Sequence, residues 1–174
     1  MKKLKELLKQ VEFLAEEFGR LEKIEREARS QVSAAMESGD VNDDKYVAKL
    51  SLATSRLALV PKHRQRLENQ GTEAARNLRP VLNAAKGQWN VFVCSKADAE
   101  FKRFIAIAAP FFGGVRNAQN RFESIPIPSV HELQSHSWNS HIPSDDFEML
   151  RKDAEAFLAM IAREGKKLGW SEPE

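Results

Sequence analysis

The fold of this chain is decided by residues 4–35, LKELLKQVEFLAEEFGRLEKIEREARSQVSAA. Alternating steps of three and four residues through this stretch reach ten positions, and nine of them are apolar. The ten positions are Leu4, Leu7, Val11, Leu14, Phe18, Leu21, Glu25, Ala28, Val32 and Ala35. A heptad pattern sustained over more than four repeats predicts a long coiled-coil helix, which needs a second helix along its apolar seam.

A second periodic stretch follows after a short break. Ser38-Gly39-Asp40 is typical of a helix end, and the acidic and amide residues at 42–44 can cap the next helix. The seam of that helix reads Val47, Leu50, Ala53, Leu57, Val60, Arg64 and Leu67, with a looser continuation to Phe92. A short connection makes two such helices pack antiparallel, so residues 1–92 predict a helical hairpin. Pro61 and Pro80 should divide the second helix into two or three pieces.

Residues 93–174 predict a small helical bundle. Ser95 and Asp98 have the form of a capping box, and Pro110 with the following glycines should end that helix. A short polar helix is expected at 115–123, a proline-, serine- and histidine-containing loop at 124–143, and a last helix at about 144–167. The predicted fold is therefore all-α, a long antiparallel coiled-coil hairpin with a small helical bundle at one end.

Composition excludes several classes of protein. The 174 residues carry a net charge of +2, which does not favour a globally basic nucleic-acid binder. The single cysteine, Cys94, excludes an intrachain disulfide and fits a cytoplasmic protein. The longest apolar run has eight residues, 105–112, whereas a membrane-spanning helix needs about 20, so we expect no membrane partner.

Self-association is the expected mode of action. The first helix has apolar residues beyond one seam, such as Phe13 and Ile24, and a two-helix layer cannot cover them. The sequence therefore predicts a non-enzymatic scaffold or adaptor that binds protein partners, with a homodimer favoured, no catalytic residue and no cofactor. The predicted partner interface is Leu4, Leu7, Val11, Leu14, Phe18, Leu21, Leu50 and Leu57.

A nucleic-acid-binding protein is the first alternative. Residues 56–86 contain seven cations and two anions, whereas residues 125–174 contain five cations and nine anions. The predicted phosphate contacts are Arg56, Lys62, Arg64, Arg66, Arg76 and Arg79. Pairing of this basic helix with the acidic carboxy-terminal helix explains the asymmetry equally well. No aromatic residue lies between Tyr46 and Trp89, so the segment offers no platform for base stacking.

A metal-dependent enzyme is the weakest alternative. His131, His136 and His141 are five residues apart, about 140° around a helix, so two such rings diverge. We expect no metal there, and a solvated loop instead. Cys94 lies in an apolar run and is expected to be buried, and the aromatic residues between Trp89 and Phe112 are expected to form a core.

Overall fold

The computed structural model describes residues 1–38, 43–138 and 146–171, and this part of the chain is helical without strands. The helices are α1 (Lys2–Ser38), α2 (Asp44–Ala108), α3 (Val115–Phe122), α4 (Pro128–Ser135), α5 (Phe147–Met160) and α6 (Lys166–Leu168). A 3₁₀ turn, Ala109–Phe112, follows α2, and a π-helical turn, Ile161–Gly165, joins α5 to α6. Helix α2 packs against α1, which confirms the predicted all-α class and the helical hairpin.

The chain divides into two compact units. The hairpin unit comprises Lys2–Leu78 and Asp145–Arg151. The aromatic unit comprises Met1 and the described residues of Arg79–Ser144 and Lys152–Glu174. Along α2 the division falls after Leu78, earlier than the boundary at residue 92 that the sequence predicts.

Helix α2 is one uninterrupted helix of 65 residues, so the expectation of two or three pieces is wrong. Pro61 and Pro80 both lie on exposed faces of α2. At such positions water can hydrate the backbone carbonyl that loses its N–H partner, which lowers the cost of an interior proline. The sequence does not decide whether the helix at 95–109 is separate or continues the preceding one; in the structure it is a continuation, because Ser95 and Asp98 lie within α2.

The core of the hairpin unit follows the heptad seam. Leu4, Val11, Leu14, Leu21 and Ala28 of α1 are buried. On α2 the buried positions of this unit are mostly small or β-branched, namely Ala53, Val60, Ala74 and Ala75, and Leu78 is buried as well. Each large apolar side chain removed from water contributes about 1.5–3 kcal/mol, so the seam is the main source of stability for this pair of helices.

The aromatic unit has its core on the second half of α2. Trp89, Val93 and Ala97 are buried on one face of α2, and Phe157 and Ile161 are buried on the last helices. Further along, Ile105, Ala108 and Ala109 form a smaller cluster with Ala118 of α3, against which Phe101, Phe104 and Phe122 pack.

Two local predictions need correction in this unit. The expected loop at 124–143 contains α4, which starts at Pro128, a residue whose fixed φ suits the first turn of a helix. Phe111 lies on the surface and not in the core, because the 3₁₀ turn directs it away from the cluster around Ala118. The short polar helix expected at 115–123 is confirmed as α3.

Capping interactions fix the start of α5 and the end of α6. Asp146 caps α5, because its Oδ1 accepts hydrogen bonds from the backbone N–H groups of Glu148 at 2.8 Å and Met149 at 3.1 Å. Gly169, at φ +72°, ends α6 in the left-handed conformation that glycine adopts at little cost. Beyond it, the Trp170 N–H donates to the Gly165 carbonyl at 2.8 Å, which completes a Schellman motif.

Candidate partner-binding surfaces

The predicted partner interface coincides with the core of the hairpin unit. Four of its residues, Leu4, Val11, Leu14 and Leu21, are buried within the chain. The other four are half-buried, and they are Leu7, Phe18, Leu50 and Leu57. A partner could reach the buried four only if α1 and α2 separated, so the seam is not a free surface in this structure.

The apolar surface that stays open lies beside the seam. Phe13 and Ile24 of α1 and Leu59 of α2 are between 44% and 57% exposed. They line a groove of about 830 Å³ between the two helices. We call this surface the hairpin groove; its lining also includes Glu17, Arg20, Glu27, Arg56, His63, Arg66 and Gln70. Phe13 and Ile24 are the apolar residues outside the heptad seam on which the prediction of self-association rests.

The two walls of the hairpin groove carry opposite charge. On the α1 wall, Glu17 and Glu27 outnumber Arg20, and Arg20 is engaged by Glu17 at 2.6 Å. On the α2 wall, Arg56 and Arg66 are exposed, and neither forms an ion pair with any of the residues described. An acidic wall thus faces a basic wall across an apolar floor.

A polar pair replaces the apolar seam at one level of the hairpin. Glu25 and Arg64 are the two polar seam positions in the periodic stretches, one on each helix. The Arg64 guanidinium donates to Glu25 Oε2 at 2.5 Å, and Arg29 donates to Glu25 Oε1 at 2.6 Å. A polar pair at a seam favours one helix register over its alternatives, because a slip of α2 along α1 separates Arg64 from Glu25. The matching exceptions in the two heptad patterns were the sequence signal for this contact.

The predicted nucleic-acid contacts do not form one stripe on α2. Lys62 and Arg66 are one turn apart and about 40° from each other around α2, whereas Arg64, between them in the sequence, lies on the opposite side of the helix. Arg64 is already bound to Glu25. Arg56, Lys62, Arg66 and Arg76 are exposed, and Arg79 is half-buried. A duplex lying along one face would meet only part of this set.

The aromatic unit contains a buried cation that belongs to the same basic segment. Lys86 is 1% exposed, and its Nζ donates to Asp153 Oδ2 at 2.5 Å. The same Nζ lies 5.7 Å from the ring centroid of Trp138, within range of a cation–π interaction. The alternative explanation of the charge asymmetry, pairing with the acidic carboxy-terminal helix, is therefore observed at this position.

Side chains of α2 also hold the segment that follows α4. The Trp89 indole N–H donates to the His136 carbonyl at 2.8 Å. The Asn90 side chain donates to the Trp138 carbonyl and accepts from the Trp138 N–H, both at 2.8 Å. Trp138 packs edge-on against Phe157, and Trp89 against Trp170. All three tryptophans of the chain thus lie in this cluster, which explains their burial structurally without requiring a ligand.

His131 and His136, the two histidines of this cluster that the structure describes, are not part of a group of metal-ligating side chains. His131 is exposed on α4, and His136 is the C-cap of α4, where its backbone carbonyl accepts from Trp89. His141 lies outside the described residues. Among the residues that are described, no group of three or more His, Cys, Asp or Glu side chains is placed to hold a metal ion. The expectation of a buried Cys94 is wrong, because Cys94 is exposed on α2.

The pKa of one buried carboxylate, that of Glu164, is shifted. The hydrogen bond from Arg163 Nε, at 2.6 Å, is the main cause that lowers the pKa of Glu164 below 4.5. Burial opposes this shift, and Lys167, 3.3 Å away, adds to it. The charges of Arg163 and Lys167 therefore keep Glu164 ionised, which indicates a structural ion-pair group on the π-helical turn and not a general acid.

No family model, curated protein or solved structure matches this chain. Within residues 1–38, 43–138 and 146–171, no helix is both long enough and apolar enough to cross a membrane. Among the surfaces described above, the hairpin groove has an apolar floor and two walls of opposite charge. A partner that fits it needs apolar side chains between charges of the opposite order.

Proposed function

We propose that this chain is a non-enzymatic helical scaffold of the cytoplasm that self-associates through its hairpin groove. The observation that carries the proposal is the half-exposed apolar floor, Phe13, Ile24 and Leu59, between walls of opposite charge. Apolar stripes that flank a two-helix seam are covered in helical assemblies by further helices. The proposed interface therefore consists of the residues beside the seam and not of the buried seam leucines.

A second copy of the chain fits the charges of the groove. The contact between Arg64 and Glu25 fixes the register of the antiparallel helices α1 and α2. At about 1.5 Å per residue, Glu17 and Arg56 lie roughly 12 Å from this contact in opposite directions, and Glu27 and Arg66 lie roughly 3 Å from it in opposite directions. A two-fold axis through the middle of the groove lays α1 of one copy over α2 of the other, in reversed order. Glu17 then meets Arg56 of the other copy, and Glu27 meets Arg66. Every contact occurs twice in such an isologous dimer, so both walls are neutralised at once.

Sedimentation velocity at micromolar concentration tests the proposal. We expect a dimer for the wild-type chain and a monomer for Leu59→Glu, because the new carboxylate cannot be buried in the groove without a partner. Met36→Glu is the control, since Met36 is 79% exposed on α1 and does not line the groove. A wild-type chain that sediments as a monomer would contradict the proposal.

The same experiment separates nucleic-acid binding from self-association. A mixed-sequence DNA duplex is added at low and at high salt. If the chain is a scaffold, we expect a dimer whose sedimentation coefficient does not change when DNA is added. A DNA-dependent species that dissociates as salt rises would instead assign the function to the exposed cations around Arg56 and Lys62, because phosphate contacts weaken steeply with ionic strength.

A further inference from the structure

The turn between α2 and α3 exposes a second group of apolar side chains, remote in sequence from the hairpin groove. Phe111 is 83% exposed, Ile107 and Val115 are each more than half exposed, and Phe112 is partly exposed. We call these four residues the apolar tip. They belong in part to the longest apolar run of the sequence, which the sequence alone places in a core. Exposed apolar groups of this kind mark a surface that meets another apolar phase.

The apolar tip is held in place by the core beneath it. The Gly114 N–H donates to the Ala109 carbonyl at 2.9 Å, and Gly113 adopts φ +72°, which closes the 3₁₀ turn. Phe112 packs edge-on against Phe122 at 5.5 Å between centroids. Because the backbone of the turn is already held in place, little conformational entropy is lost when Phe111 and Ile107 bind a partner. A low entropy cost favours a binding role for these two residues.

Only cations accompany the apolar tip in its own stretch of sequence. Residues 101–122 contain Lys102, Arg103, Arg116 and Arg121, and no aspartate or glutamate. All four are exposed. Arg103 lies 4.0 Å from Glu100, a loose contact that is further along α2 from the tip. At a rise of about 1.5 Å and a rotation of about 100° per residue, Arg103 lies roughly 6 Å behind Ile107 on the same face of α2, whereas Lys102 lies about 140° around the helix from Ile107.

We propose that the apolar tip docks on an anionic lipid surface, in addition to the scaffold function proposed above. Apolar and aromatic side chains enter an interface to a depth of about 5–10 Å, and basic residues just behind them then lie at the level of the headgroups. Arg103, one turn behind Ile107 and about 40° around α2 from it, matches that arrangement. The sequence-based expectation of no membrane partner rested on the lack of a spanning helix, which peripheral docking does not need.

Other occupants fit the apolar tip less well. A second copy would bring the same four cations together, and like charges repel. Single-stranded nucleic acid would stack on Phe111, but Ile107 and Val115 have no aromatic face to offer a base. No groove that could receive a helix of a protein partner is described at the tip. An anionic bilayer satisfies both the aliphatic and the cationic residues, because its acyl region takes the apolar side chains and its headgroups take the cations.

Co-sedimentation with vesicles tests this proposal on the full chain. The probes are vesicles of phosphatidylcholine alone and of phosphatidylcholine with about one third phosphatidylglycerol. We expect binding to the anionic vesicles only, a loss of roughly tenfold or more in Phe111→Ser, and a loss of about fivefold for each of Arg103→Gln and Arg116→Gln. Val91→Ser is the matched control, because Val91 is an apolar residue of α2 with 72% exposure outside the tip.

Phe111→Trp provides a second readout that keeps the tip apolar. Its fluorescence should shift to the blue with anionic vesicles, whereas Val91→Trp should not respond. Absence of binding to anionic vesicles, or equal binding by wild type and Phe111→Ser, would overturn the proposal. A change of oligomeric state in Phe111→Ser without vesicles would overturn it in favour of a protein interface. Leu59→Glu should still bind vesicles, so failure of this proposal and failure of the scaffold proposal are distinguishable.

Discussion

Removal of the Asp153 charge should destabilise the aromatic unit more than removal of the Lys86 charge. The ion pair is asymmetric, because Lys86 is 1% exposed whereas the Asp153 side chain is 28% exposed. Asp153→Asn leaves an ammonium group buried without its counter-charge, and loss of one partner of a buried pair costs about 3–5 kcal/mol. We expect a value near the lower limit, about 3 kcal/mol, because water can approach Nζ from the side of Asp153.

Lys86→Met should cost less, about 1–2 kcal/mol. Its methylene stem is replaced by an apolar chain of similar length, and the partly exposed Asp153 carboxylate can be hydrated. The double variant Lys86→Met/Asp153→Asn should be more stable than Asp153→Asn alone, because no buried charge remains. Such a gain in the double variant is the sign of a strongly coupled pair.

Urea unfolding followed by tryptophan fluorescence measures these differences, because Trp89, Trp138 and Trp170 all lie in the aromatic unit. For an m value of about 2 kcal/mol/M, a loss of about 3 kcal/mol lowers the midpoint by roughly 1.5 M. Lys102→Met, at an exposed position of the same helix, should change the midpoint little. Equal losses in the two single variants, or a double variant less stable than Asp153→Asn, would refute the reasoning.

Three further predictions concern local stability. Gly19→Ala and Gly87→Ala should each raise the free energy of unfolding by about 0.5–1 kcal/mol, because nothing lies within 4 Å of a Cβ added at either helical position. Gly169→Ala should lower the free energy of unfolding by about 1 kcal/mol, because Gly169 has φ +72°. Thermal unfolding followed by circular dichroism ranks the three variants. Asp146→Ala should lower the free energy of unfolding by about 1 kcal/mol through loss of the two cap hydrogen bonds, and Asp146→Asn should retain most of the stability in the same measurement. The folded-state pKa of Glu164 is lowered, so its contribution to stability is present above its unfolded pKa and is lost as pH falls through the lower folded value. Glu164→Gln should therefore lower the stability at neutral pH and flatten the acid side of the stability profile, which thermal unfolding at a series of pH values measures.

The hairpin was predictable because its cause is local and repeated. Nine apolar positions in ten along one seam specify a helix and its partner, whatever the rest of the chain does. The continuity of α2 through Pro61 and Pro80 was not predictable, since the cost of an interior proline depends on whether its face is exposed. That exposure is a property of the packed structure.

The binding surfaces were predictable only in part. Phe13 and Ile24 were recognisable as apolar residues outside the seam, but the seam leucines themselves gave no sign of which would be covered within the chain. Burial of Lys86 depends on Asp153, 67 residues away in the chain, and no short-range pattern encodes such a contact. Exposure of Phe111 depends on the geometry of a four-residue turn, and hydrophobicity alone predicts the opposite.

The central claim, self-association through walls of opposite charge, is tested most directly by mixing two charge-reversed chains. One chain carries Glu17→Arg and Glu27→Arg, and the other carries Arg56→Glu and Arg66→Glu. Each places like charges on both sides of the two-fold interface, so each should sediment as a monomer while remaining helical. Mixed in equal amounts they restore both sets of opposite charges, and the account predicts a heterodimer. Two chains that stay monomeric in the mixture, or that each dimerise alone, would contradict it.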